Sequence, residues 1–193
     1  MRYTRLLLLT SLLLSFSLVA CGSPAANEAE TVGYTIVQEA AADISSPPPS
    51  PSTSPILTIA GQINNPNQGD ELVLDRDTLE SLDLVEMTVF DEQAEGDTHT
   101  FQGVLLADVL QWAAISPDAT QLFITALDGY RVNIPLVDVE NYPILLATRV
   151  DNEHLTLDRF GPTRIVYPYH AFEMDWVVYN PRWIWNIEHI TVE

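Results

Sequence analysis

Between residues 56 and 193 the apolar positions fall mostly in short runs of β-branched and aromatic residues bounded by Gly, Pro, Asp or Asn. "ILTIAGQI", "VEMTVFD", "THTFQG", "QLFITALDG", "YRVNIP", "ILLATRV" and "WIWNIEHITV" therefore predict strands. In the last of these, the alternation of Trp183 and Trp185 places both rings on one strand face. Two segments carry helical spacing instead. "DRDTLESLDL" has Asp caps ahead of Leu79 and Leu82, and "GVLLADVLQWAA" sets Leu105, Val109 and Trp112 on one face with Leu106 and Leu110 beside them. "VDNEH" at 150–154 reads as a hairpin turn with solvated polar residues. Strands with a few short helices, no βα alternation and no internal repeat predict a single compact α+β domain, mainly β, large enough to bury a core without disulfides or metals.

Upstream the pattern changes. Residues 22–55 are rich in Ala, Glu and Ser and end in "ISSPPPSPSTSP", which cannot bury enough apolar surface to offset chain entropy. They predict a tether stiffened by its prolines, with "VGYTIV" at 32–37 as a local strand. Ahead of it, Arg2 and Arg5 precede the apolar run Leu6–Leu14 and the small residues Ala20 and Gly22, the layout of a secretory signal. The run is too short and too interrupted for a transmembrane helix. Leu18-Val19-Ala20-Cys21 resembles the lipobox of bacterial lipoproteins. That resemblance implies that Cys21, the only cysteine, is lipidated and opens the mature chain. The alternative, an ordinary signal that leaves a free thiol in an oxidising compartment, creates a liability. The expected organisation is a signal at 1–20, a lipidated tether at 21–55 and a domain at 56–193. The expected location is the cell envelope, facing the periplasm or exterior, with the membrane as partner through the lipid.

Loss of the signal leaves six arginines, no lysine and 27 acidic residues, a formal balance of six minus 27, or −21. Such a surface repels nucleic acid, whose phosphates need clusters of Lys and Arg.

The order of blocks "AGQI", a capped helix, "FQGVLLADVLQWAAI", "ITALDGYRVNIP", "ILLATRVDNEHL", "GPTRIVYP" and "WIWNIEHITV" resembles the molybdopterin-binding domain of sulfite-oxidase-type oxidoreductases across about residues 56–193. Its most specific pieces are the Asp128–Tyr130 turn and the segment Gly161–Arg164. The resemblance implies the sulfite-oxidase-like molybdopterin-binding fold. It also implies chemistry that depends on a cysteine thiolate, held on a loop between the first strands and the Gly-Val helix. Here that loop is Glu86–Val104, and it contains no cysteine. Asp91, Glu92 and Thr98 are hard oxygen donors that do not replace a soft thiolate without changing the chemistry.

What remains is a candidate pocket. Arg131, Arg149, Arg159, Arg164 and Arg182 cluster within residues 131–182, where they serve either as ion-pair partners or as an anion site. Within residues 167–185, Tyr167, Tyr169, Phe172, Trp176, Tyr179, Trp183 and Trp185 either pack the core or stack on a flat ligand. If "GPTR" lies at the family's cofactor cleft, Arg164 offers a planar charged fork, Tyr167 a ring and a hydroxyl, and His170 a group that titrates near neutrality, with Arg149 approaching from a neighbouring strand. No catalytic residue and no metal ligand set is singled out; the four histidines lie too far apart for a local metal motif. Three functions follow. The first is an envelope lipoprotein that binds a small anion or an envelope protein without redox catalysis. The second is a molybdopterin oxidoreductase with a non-cysteine ligand set, and the third is a structural or assembly lipoprotein.

Overall fold

The computed structural model describes residues 33–92 and 96–193. The signal segment, Cys21 and residues 22–32 lie outside them. Two sheets make up the architecture. In the first, the order is β1 (Thr35–Gln38), β4 (Leu84–Asp91), β5 (Asp97–Leu105), β8 (Leu145–Val150) and β10 (Arg164–Val166), with β9 (Glu153–His154) pairing with β8. In the second, the order is β3 (Leu72–Asp75), β2 (Pro55–Gly61), β11 (Ile187–Val192), β6 (Gln121–Ala126) and β7 (Arg131–Pro135). β11 runs parallel to β2 and antiparallel to β6, so the last strand of the chain lies at the middle of its sheet.

The sequence explains these strands. β6 buries Leu122, Ile124 and Ala126 alternately, and β7 does the same with Val132 and Ile134, the period expected of strands with one face on a core. The turn between them holds Gly129 at φ 84°, which a residue with a Cβ adopts at a cost. Asp151 and Asn152, with φ of 50° and 67°, turn β8 into β9 as the sequence suggests. Both sheets feed one core, with Leu57, Ile59 and Ile190 from the second joining Val85, Met87, Phe101 and Leu146 from the first.

Among the described residues four short helices connect the strands: α1 (Arg76–Leu79), α2 (Leu106–Trp112), α3 (Leu136–Asn141) and α4 (Trp176–Tyr179). Asp75 caps α1 by accepting from the Thr78 N–H, and α2 buries Leu106, Val109, Leu110 and Trp112. No helix among the described residues is long and apolar enough to cross a membrane.

Four expectations change. Leu105 ends β5 and is not on the helix, because Gly103 lets β5 pass so close to β8 that a Cβ there would lie 2.2 Å from the Leu146 carbonyl oxygen. Within Glu86–Val104, residues 86–91 and 97–104 are not loop but lie in the paired strands β4 and β5. Trp183 and Trp185 precede β11 and share no strand: Trp183 caps the 3-10 turn at 180–182, while Trp185 packs edge-on against Phe160.

The fourth change is the tether. From Gly33 onward it is strapped to the domain, with β1 paired to β4 and the backbone of Ala41 and Ala42 bonded to the Ser81 carbonyl. Trp112 donates from Nε1 to the Ser46 carbonyl, and Asn67 donates to that of Pro49. Ser52 and Thr53 deliver backbone N–H groups at 2.7 and 2.8 Å to the Asp75 carboxylate. Polar groups of the domain hold this segment, and Tyr34 and Ala42 pack against the core.

Candidate functional site

β10 opens the segment that the sequence marks as the site. Ahead of it a 3-10 turn at 157–159 ends on Phe160 in the left-handed region. Gly161 then packs so tightly that a Cβ would lie 2.5 Å from that of Leu155. From Thr163 to Tyr167 every side chain is buried.

Arg164 lies among them, 1% exposed. Its Nη1 is 2.9 Å from Oδ2 of Asp91, itself fully buried at the end of β4. The guanidinium carbon lies 4.9 Å from the ring centre of Phe101 and 5.5 Å from those of Phe160 and Trp183. Burial pushes the Arg164 pKa down, and Asp91 opposes that shift. Nε and Nη2 of Arg164, and Nε1 of Trp183, have no acceptor among the described residues.

The other expected site residues go to separate partners. Arg149 forks onto Glu80 beyond the end of α1, with Nε 3.2 Å from Oε1 and Nη2 on Oε2, while the Thr148 hydroxyl donates to the same carboxylate at 2.6 Å. Burial pushes the Glu80 pKa up, but these hydrogen bonds outweigh it and hold the group below its usual value. Tyr167 is fully buried, its hydroxyl 3.4 Å from Oδ2 of Asp138, which also pairs with Arg182. Burial and then Asp138 drive the phenol well above its ordinary range. His170 donates from Nε2 to the Gly33 carbonyl at 2.7 Å and so helps hold the start of the strap. The structure therefore brings Arg164, Tyr167, His170 and Arg149 to four different contacts and not to one cleft.

The remaining arginines of the cluster behave alike. Arg159 pairs with Glu153, while Arg131 donates to the Thr125 hydroxyl and lies over Phe123. In the aromatic run Phe172 and Tyr179 flank Tyr142 edge-on, and Tyr169 meets Trp183 edge-on and Trp176 at a tilt. Trp183, Trp185 and Tyr130 line a cleft of about 230 Å³ with Asp128 and Asn180. That is small beside the roughly 300–1,000 Å³ of most ligand pockets. Sequence reasoning missed Asp138 and Glu80 and named Asp91 only as a hard oxygen donor, yet these are the carboxylates that take up the cations. No local signal marks them, because each lies on an element remote in sequence from its arginine.

The family model for the oxidoreductase molybdopterin binding domain matches residues 73–193, and the chain belongs to that family. Among solved structures it is similar to the sulfane dehydrogenase SoxCD from Paracoccus pantotrophus, with 18% identity and a TM-score of 0.55 over 71% of this chain. The match covers 37% of that chain, so this one spans little more than a third of its length. The likeness shows the fold, a mainly-β α+β domain of the sulfite-oxidase-like molybdopterin-binding type. No curated protein matches the chain.

Proposed function

We propose that this chain is a cell-envelope lipoprotein, anchored through Cys21, whose molybdopterin-family domain works as a binding module and carries no redox centre. The observation that carries this reading is the donor chemistry of the domain. The only cysteine is Cys21, twelve residues ahead of the first described one, so no thiolate is built into the fold. Among the described residues no group of three or more His, Cys, Asp or Glu could hold a metal ion. The cations that would meet a pterin phosphate are neutralised from within, Arg164 by Asp91, Arg149 by Glu80 and Arg182 by Asp138. These residues do not fit molybdopterin, and no catalytic step is derived through it.

With Arg149, Arg164 and Arg182 each paired to a carboxylate of the domain, a protein partner is favoured over a small anion. One observation supports the anion as a second reading: two guanidinium N–H groups of Arg164 are buried without acceptors, a costly arrangement that an anion exchanging with Asp91 would relieve. Redox assay of the full-length protein from a host that makes the pterin tests the main reading. Sulfite- and sulfoxide-directed turnover is expected to be absent, and turnover that tracks the protein through purification would overturn it.

A further inference from the structure

The strap decides which side of the domain meets the lipid. A free tether from Cys21 to Pro55 would let the domain drift and tumble, but the clamp at Gly33 leaves only twelve residues beyond the lipidated cysteine. Such a stretch spans at most about 40 Å fully extended. The domain is thus held near the headgroups by the end at which Gly33 leaves it.

That end presents apolar side chains beside the Asp108 and Asp83 carboxylates, which act on Tyr34. Gly33 lies against Ala171 and Phe172, and its carbonyl accepts from His170. Phe172 meets Tyr142, which in turn meets Tyr179 on α4. The Tyr169 ring lies tilted against Trp176, 5.1 Å between centres. On α4 the side chains of Val177 and Val178 are 80% and 42% exposed, while Ile36 and Val37, directly after the clamp, are 44% and 45% exposed. Four of the ten exposed large apolar side chains among the described residues thus lie on α4 or on β1. The half-buried Tyr169 and Trp176 ahead of Val177 suit a membrane–water boundary.

We propose that α4 and the edge strand β1 form the membrane-facing surface of the anchored domain and dip Val177 and Val178 into a zwitterionic lipid interface. This rests on the lipid anchor at Cys21. Zwitterionic lipid is the occupant because Glu173 and Asp175 lie beside α4 on a chain of charge −21, so anionic headgroups repel this face.

The test uses the full-length lipidated protein in phosphatidylcholine vesicles. With Cys21 acylated, Val177→Cys supplies a single free thiol for a polarity-sensitive fluorophore. Asp118→Cys, on the exposed loop ahead of β6 and at the far end of that strand from the turn that Pro181 contacts through Tyr130, is the control. The label at 177 is expected to shift to the blue and to lose emission to spin-labelled lipid, the label at 118 to do neither, and the shift to shrink when phosphatidylglycerol is added. A lipidated protein whose label at 177 stays water-like overturns the docked face alone. A protein with no lipid mass at Cys21 overturns the anchor, and the docked face with it.

Discussion

Replacing Arg164 with Met separates a structural cation from a ligand cation. The change leaves the Asp91 carboxylate buried, at 0% exposure, without the guanidinium 2.9 Å away. Breaking a buried pair in this way costs about 3–5 kcal/mol. Loss of the three cation–ring contacts adds to the cost, although a Met thioether retains part of the aromatic packing. In the other direction, the two N–H groups of Arg164 that lack acceptors disappear, which returns about 1–3 kcal/mol. The net expectation is a loss of about 3 kcal/mol, a large share of a stability that for such domains is about 5–15 kcal/mol. Urea unfolding followed by tryptophan emission measures it in anion-free buffer, with Trp183 beside the substitution as reporter. Combining R164M with Asp91→Asn is expected to show a favourable coupling of about 1–3 kcal/mol, because the buried negative charge that faced the guanidinium is removed with it. A loss below about 1 kcal/mol for R164M, with phosphate raising the melting temperature of the wild type but not of the variant, would refute the structural role and favour the anion reading.

Three further outcomes are expected. Asp75→Ala removes the cap of α1 and the acceptor for Ser52 and Thr53, costs about 2–4 kcal/mol by denaturation, and opens residues 40–54 to protease in the otherwise folded protein. Asp75 and Glu80 both have folded pKa values below their ordinary ones, because hydrogen bonds outweigh burial. Their stabilisation is therefore complete above the unfolded carboxylate values of about 4 and is lost as pH falls through the folded values, and Glu80→Gln is expected to flatten the loss in unfolding free energy measured from about pH 6 to about pH 3. Cys21→Ala is expected to release the protein from membranes with the domain's melting temperature unchanged; a variant that stays bound, or a wild type without an acyl mass shift, would contradict the anchor.

Much of the fold was legible because strand periodicity and turn chemistry are local. The turns at Asp128–Gly129 and Asp151–Asn152 carry residues suited to positive φ, and the alternation in β6 and β7 marks their buried faces. The misses share a cause. α3 and α4 have six and four residues, too short for helical spacing to show, and "WVVY" in α4 has the composition of a strand. Gly103 read as the start of a helix because its near neighbour is a carbonyl on another strand. The strap read as a free tether because it is held by Asp75, Asn67, Ser81 and Trp112, none of them in its own segment. The site follows the same rule. Clustering of arginines in sequence was visible, but Asp91, Glu80 and Asp138, which decide what those arginines are free to do, reach them only through the fold.

The most direct test of the central claim is the molybdenum and pterin stoichiometry of the full-length protein, purified in detergent from a host competent in the cofactor. A domain without a thiolate, with Arg149, Arg159, Arg164 and Arg182 paired to its own carboxylates, is expected to carry only trace molybdenum and to release no fluorescent pterin on denaturation. Molybdenum near one per chain, with pterin released in equal amount, would contradict the account and establish a redox centre built on a different set of ligands.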